Sequence, residues 1–380
     1  MREIKDLQED KQESLKEEEF VKEEGEEENF TSLKGKRLVT YPIDFTVGSL
    51  NEQMNSKNIL LDDDFQRRLV WKETQSSKLI ESLFLNVPIP VCYFSEIKEG
   101  KYSVIDGKQR LGSIKKFFMN NLKLRGLKFF PELNGKKFAD LDSEQKRILE
   151  SRTIRCIVIL KESNPEIRYD TFERLNTNSV SLNKQELRNS IYRGKFNNLL
   201  IELAKNKLFQ NIRGVDEEDL RMNDRELILR FFSFRERLSS YRSSFATFLD
   251  SFLKDGNEFP NEKIEELKKV FLETIEKVNV VFGDKAFRRF DPNKNSWENR
   301  INRAIYDVIM LSFDKIVKED IEKEKDNILK IFKEICSNKD FYDAVTTWTK
   351  KMEAIQTRLN LWVNDLNTIN LKLPEFKVGE

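Results

Sequence analysis

The stretch Tyr102-Ser103-Val104-Ile105-Asp106-Gly107-Lys108-Gln109-Arg110-Leu111 decides how the chain is read. Val104 and Ile105 belong to a β-type run, whereas Leu111, Ile114, Phe117 and Phe118 recur at helical spacing. A polar turn joins the two. Asp-Gly is also the commonest type I′ hairpin turn, but a hairpin needs a second strand, and the spacing after Arg110 is helical. Strand, loop and helix in that order make phosphate-binding geometry. The N–H groups and positive end of a helix N-terminus attract an anion, and a glycine lets the backbone approach it closely. Lys108 and Arg110 add positive charge, Gln109 can orient a water or a phosphate oxygen, and Asp106 can hold Mg²⁺.

Outward from this turn, β-type runs near residues 38–45, 89–95, 101–105 and 153–160 alternate with amphipathic helices. Leu79, Ile80, Leu83 and Phe84 mark one helix face, and Leu111, Ile114, Phe117 and Phe118 mark another. Asn86-Val87-Pro88-Ile89-Pro90 stops the first helix and launches an extended segment, because residues before proline avoid the α region. After about residue 165 helical periodicity dominates, as in Leu227, Phe231, Phe234 and Leu238 or Ile264, Leu267, Phe271 and Ile275. Residues 38–164 are therefore expected to form an α+β domain and residues 165–380 an all-α helical domain.

Residues 1–37 read differently. The first thirty hold thirteen Asp or Glu against five Lys or Arg, a net −8, so the remaining chain carries +9 within a total of +1. With few apolar residues at any period, this segment is expected to be a disordered acidic tail, and removal of residues 1–34 is expected to leave stability nearly unchanged. A solubilising leader and an autoinhibitory mimic of polyanionic DNA both fit it. The +9 body is compatible with nucleic-acid or nucleotide binding without being diagnostic of it.

A length of 380 residues allows two or three domains, and 29 Phe supply core area although only 38% of residues are hydrophobic and 35% are charged. No apolar run is long enough to span a membrane, and the acidic N-terminus is unlike a signal peptide, so a cytoplasmic location is expected. Cys92, Cys156 and Cys336 are far apart with no C-x-x-C pair, which predicts buried structural thiols. The absence of histidine is the sharpest compositional fact. It excludes Ser-His-Asp hydrolases, HEXXH zinc proteases and HNH nucleases from this chain, leaving carboxylates, amides, Arg, Lys and a hard divalent metal to carry any chemistry.

Two further polar clusters accompany the turn. Asp62-Asp63-Asp64-Phe65-Gln66-Arg67-Arg68-Leu69-Val70-Trp71 reads in isolation as a charged loop anchored by Phe65 and Trp71. Phe172-Glu173-Arg174-Leu175-Asn176-Thr177, followed by Leu182, Glu186, Leu187 and Arg188, reads as a helix end and a new helix start. Asn183 with Glu186 three residues on has the spacing of a capping box.

Taken in order, Phe65-Gln66-Arg67, Trp71, Leu79-Ile80-Glu81-Ser82, Pro88-Ile89-Pro90, Asp106-Gly107-Lys108-Gln109-Arg110, Arg174-Leu175-Asn176-Thr177 and Gln185-Glu186-Leu187-Arg188 resemble the DUF262 family. That family includes the N-terminal domain of GmrSD-type modification-dependent restriction enzymes, and its signature is a DGQQR motif. The resemblance spans roughly residues 38–250. It implies a ParB/sulfiredoxin-like fold that binds and hydrolyses a nucleoside triphosphate with Mg²⁺, coupled to restriction of modified phage DNA. Asp106, Gln109 and Arg110 then match catalytic positions, with Asp106 as metal ligand, and Gln66, Arg67, Gly107 and Lys108 match nucleotide-binding ones. Asn176, Glu186 and Arg188 would support the site from behind. Lys108 stands where the family usually has Gln, which bears on whether hydrolysis or only binding is retained. Many family members carry an HNH-type nuclease domain, which a chain without histidine cannot supply. The implied protein is an NTP-hydrolysing sensor subunit with a separate nuclease partner; the rivals are a nucleotide-gated DNA-binding or protein-interaction module without turnover and a stand-alone metal-dependent nickase.

Overall fold

The computed structural model describes residues 20, 37–61, 71–163, 165–175, 183–219, 221–242, 244–369 and 371–379. Two compact units divide the chain between Arg193 and Gly194.

The first unit is built on a mixed five-stranded sheet. Its strands are β1 (Thr40–Thr46), β2 (Ile59–Leu60), β3 (Cys92–Lys98), β4 (Lys101–Asp106) and β5 (Thr153–Ile159), in the order β1-β5-β3-β4-β2. β1 runs antiparallel to β5, β5 parallel to β3, β3 antiparallel to β4, and β4 parallel to β2. The short β2 pair was not legible in the sequence, since two residues carry no periodicity.

Helices α1 (Val47–Asn55), α2 (Glu73–Phe84), α3 (Lys108–Phe118) and α4 (Ser143–Ser151) contribute to the larger core. There Leu50, Leu79, Ile80, Leu111, Ile114 and Leu149 pack with Cys92, Phe94, Val104, Ile154, Cys156 and Val158 of the sheet. Side chains alternate across a strand, so Ile105 and Ile159 point to the opposite face. They are buried there by Phe172 of α5 (Pro165–Leu175) and Leu187 of α6 (Lys184–Ile191). This second apolar face explains why the compact unit extends to Arg193, whereas the loss of strand signal had placed the boundary at residue 164.

The second unit is mainly helical. It contains α7 (Lys195–Ala204), α8 (Lys207–Arg213), α9 (Asn223–Arg237), α10 (Phe245–Gly256) and α11 (Asn261–Phe282), followed by a hairpin and then α12 (Arg303–Lys315), α13 (Lys318–Ile335), α14 (Lys339–Thr346) and α15 (Met352–Asn367). The helical character expected of this region is observed, and a short hairpin, β6 (Arg288–Asp291) with β7 (Ser296–Ile301), is added to it. Its sequence lacks an alternating apolar pattern, and the pairing of Phe290 with Trp297, ring centroids 5.4 Å apart, gives it an aromatic anchor.

The helical stripes read from the sequence are core: Leu227, Phe231, Phe234, Leu267, Phe271, Ile275, Leu359 and Trp362 are all buried. Among them lies a charged triad. Arg230 donates to both oxygens of Asp307 at 3.0 and 2.7 Å, and Arg358 donates to Oδ2 of the same carboxylate at 3.1 Å. Phe20, from the acidic N-terminal segment, is also buried, bridged to Ile301 with Arg303 4.7 Å and Arg213 6.0 Å from its ring centroid. The segment thus has an apolar anchor that the expectation of a freely removable tail did not include. All three cysteines are buried free thiols, as their spacing predicted. Among the described residues no helix is long and apolar enough to cross a membrane.

Candidate functional site

The turn after β4 is as the sequence predicts: a strand ends at Asp106 and α3 begins at Lys108, with Gly107 between them as the N-cap. Gly107 has φ +99, where a side chain is strained, and a Cβ there would lie 2.5 Å from Sγ of Cys92. Glycine is therefore required both by the backbone conformation and by the close passage over β3. Beneath it, Cys92 and Cys156 are direct partners across β3 and β5. The hydrogen bond between their thiols lowers the Cys92 pKa and raises that of Cys156, with burial opposing the first shift and adding to the second.

Arg110, one helical turn into α3, folds back over the loop. Its Nη2 donates to Oδ2 of Asp106 at 2.5 Å, and its Nη1 donates to the carbonyls of Pro90 and Val91, the latter at 3.2 Å. The guanidinium thus ties the end of β4 to the segment entering β3. Gln109 turns toward the other flank, where its Oε1 accepts the backbone N–H of Trp71 at 3.3 Å. The side-chain hydroxyl of Ser113 meets that of Ser76 at 2.8 Å, joining α3 to α2 below this contact.

A cavity of about 860 Å³ opens beside the turn, wholly within the first unit. Asp106 and Arg110 line it together with Lys78 and Arg174, while Trp71, Leu79, Val87, Pro88, Ile89, Pro90, Tyr93 and Leu175 supply an apolar and aromatic wall. Its volume and its few convergent polar groups in an apolar lining are those of a small-molecule site. Pro88-Ile89-Pro90, read from sequence as a helix stop launching an extended strand and as one of the family motifs, forms part of this wall. Lys78 and Tyr93 were not singled out beforehand, because each occurs in an ordinary helix or strand pattern and joins the cavity only through packing.

The other site candidates divide into two groups. Gln66, Arg67 and Asn176 lie outside the described residues. Glu186 and Arg188 are buried on α6 and do not line the cavity. Glu186 closes the capping box that the sequence suggested: its side chain accepts from Asn183 N at 2.7 Å, and Asn183 Oδ1 accepts from Glu186 N at 2.8 Å. Arg188 donates to Gln185 Oε1 at 3.5 Å within the same helix.

No group of three or more Cys, Asp or Glu with metal-ligating placement occurs among the described residues. Asp106 is the lone carboxylate among the described residues of the cavity lining, and Arg110 occupies it. Mg²⁺ that accompanies a nucleotide commonly takes only one or two protein carboxylates, the phosphates and water supplying the rest. Asp106 is the carboxylate of the described lining that could hold such an ion, with its oxygen shared with or released from Arg110.

A strand-turn-helix with a glycine N-cap thus stands on the rim of a cationic and aromatic cavity in an α+β unit. Residues 48–193 match the family described as the GmrSD restriction endonuclease N-terminal domain, and the first unit of this chain belongs to that domain family. The match ends at Arg193, where the compact unit also ends. It ties the domain to a restriction system. No curated protein and no solved structure matches the chain significantly.

Proposed function

We propose that the GmrSD-type domain binds and hydrolyses a nucleoside triphosphate, and that it serves as the sensor or regulatory part of a DNA-defence system whose cutting is done by a separate nuclease. The observation that carries this reading is the cavity. Lys78, Arg110 and Arg174 set three cations against the single carboxylate of Asp106 on a lining that also presents Trp71 and Tyr93. Phosphates satisfy the cations, and a nucleobase satisfies the aromatic wall. Gly107 lets the backbone at the start of α3 approach the phosphate chain, and Lys108 adds charge there. When a divalent ion accompanies the nucleotide, it neutralises phosphate charge, and Asp106 is the described carboxylate to hold it.

Arg110 and Gln109 fill the remaining roles. Arg110 stabilises the charge that shifts during phosphoryl transfer if its pair with Asp106 opens, and Gln109 would orient the attacking water only after leaving Trp71 N–H and turning into the cavity, which it does not line here. The closed Arg110–Asp106 pair favours a second reading as well, a nucleotide-gated module that binds without turnover, since a fork engaged by protein is not yet placed on a phosphate.

Steady-state phosphate release with Mg²⁺, measured with and without DNA, separates the two. Turnover that is lost in Arg110→Ala supports hydrolysis. Saturable nucleotide binding without phosphate release supports the gated module. No binding of any nucleoside triphosphate overturns both.

A further inference from the structure

From the last turn of α3 through the loop that follows it, residues 115–137 carry seven Lys or Arg and one acidic residue, Glu132, in a chain whose whole net charge is +1. Leu122, Leu124, Leu127 and Leu133 bury themselves, while Lys123, Arg125, Lys128 and Lys137 remain exposed. The loop is not slack. Leu124 N donates to Lys136 O at 3.0 Å and Gly135 N to Leu124 O at 2.8 Å, so its two arms pair. Asn134 brackets Leu127 from both sides, accepting from its N–H at 3.0 Å and donating to its carbonyl at 3.2 Å.

Helix α2 holds the loop along its length. Ser77 Oγ accepts from Arg125 N at 3.0 Å. One helical turn further on, Oε1 of the buried Glu81 accepts from Lys128 N and Phe129 N at 2.7 Å each and from Phe130 N at 3.4 Å. A charged oxygen with three backbone donors fixes the peptide path at the tip. Phe130 then packs against Phe84, ring centroids 5.7 Å apart, whereas Phe129 is left 69% exposed, the most exposed large hydrophobic side chain among the described residues. The backbone is therefore held in a form that keeps one aromatic ring in water among lysines.

We infer that this face is a binding surface for single-stranded nucleic acid, with phosphates running over Lys123, Lys128 and Lys137 and an unpaired base stacking on Phe129. Arg125 contributes less, because Glu73 pairs with it at 3.1 Å. A protein partner would have to desolvate the lysines, which interface cores avoid. A polyanion with π-faces answers both the charge and the ring. The surface is separate from the nucleotide cavity, as none of these residues lines it.

The test is fluorescence anisotropy of the full chain with a labelled 20-residue oligothymidylate and with a duplex of equal length, over a salt series without nucleotide. The oligothymidylate binds more tightly than the duplex. Phe129→Ala weakens that binding about tenfold with the salt slope unchanged. Lys123→Ala with Lys128→Ala lowers the slope of log K against log salt by about 1.4, since each phosphate contact on a single strand contributes about 0.7. Lys269→Ala, on the exposed side of α11, changes neither. Circular dichroism confirms that each variant is folded, and nucleotide titration of the same variants reads the cavity independently. The inference is overturned by full affinity in folded Phe129→Ala, by an unaltered slope in the double lysine variant, by tighter binding to duplex, or by binding to anionic vesicles and not to the oligonucleotide.

Discussion

Arg110 and Asp106 face each other across one turn at the start of a helix, the guanidinium closed on the carboxylate at 2.5 Å with Asp106 at the end of β4. The same guanidinium holds the carbonyls of Pro90 and Val91, so the residue proposed as a phosphate ligand is also the latch of the loop that carries it.

That double role shapes the response to mutation. Arg110→Ala is expected to lose triphosphate affinity tenfold to a hundredfold, from charge-assisted hydrogen bonds of about 1.5–3 kcal/mol, and to melt at lower temperature. Arg110→Lys keeps the charge without the planar fork and should fall between wild type and alanine. Nucleotide titration and thermal melts on the same samples check this. Wild-type affinity in folded Arg110→Ala would reduce the turn to architecture.

Gly107→Ala should be disruptive for two separable reasons. The φ of +99 strains any side chain by about 1–3 kcal/mol, and the new Cβ meets Cys92 Sγ at 2.5 Å. Adding Cys92→Ala to Gly107→Ala removes the clash and leaves the strain. Urea midpoints should therefore show the double variant less destabilised than the sum of the two single changes, and simple additivity would contradict the contact.

Phe20, within the acidic segment, packs in the helical unit against Ile301. Burial of a phenylalanine contributes about 1.5–3 kcal/mol, so Phe20→Ala should destabilise that unit by an amount of this order. Deletion of residues 1–18 is expected to have much less effect than deletion of residues 1–30. Differential scanning calorimetry resolves the two, and equal melting of wild type and Phe20→Ala would return the segment to a mere leader.

Asp307 is the shared acceptor of Arg230 and Arg358, and all three are buried. Asp307→Asn removes the carboxylate that both guanidiniums share, which is expected to cost about 3–5 kcal/mol. Chemical denaturation followed by tryptophan fluorescence reports it directly, because Trp362 lies in the same core and donates from Nε1 to Ser312 Oγ at 2.9 Å. A shift below the resolution of the urea midpoint would show that the triad contributes little.

Much of this architecture is local in origin, and local origin is what a sequence can display. The period of Leu111, Ile114 and Phe117 determined α3, the β-branched run Ile154, Ile157, Val158 and Ile159 determined β5, and Gly107 marked the backbone position in the turn that a side chain could not occupy. The Asn183–Glu186 capping box was readable because both of its partners lie within one helical turn. The DGKQR-like turn and the motifs around it pointed to the family of the first unit, and the absence of histidine ruled out an HNH centre in this chain.

What the sequence did not determine depends on residues that meet only by folding. The boundary moved to Arg193 because Ile105 and Ile159 needed cover on the second face of the sheet, and a change of composition cannot reveal which face a helix must close. Lys78, Tyr93 and Pro88–Pro90 joined Asp106 and Arg110 in one cavity, although nothing in their own segments distinguishes them from a helix surface, a strand and a helix stop. The β6–β7 hairpin is held by Phe290 against Trp297 across the pair and not by strand periodicity. Glu81 came to hold the backbone of Lys128, Phe129 and Phe130 from nearly fifty residues away, which turned an unremarkable helical glutamate into the support of an exposed ring. Periodicity and backbone sterics act between neighbours in the chain, so they are written in the sequence, whereas the partners of a buried charge and the lining of a cavity are settled by packing between distant elements.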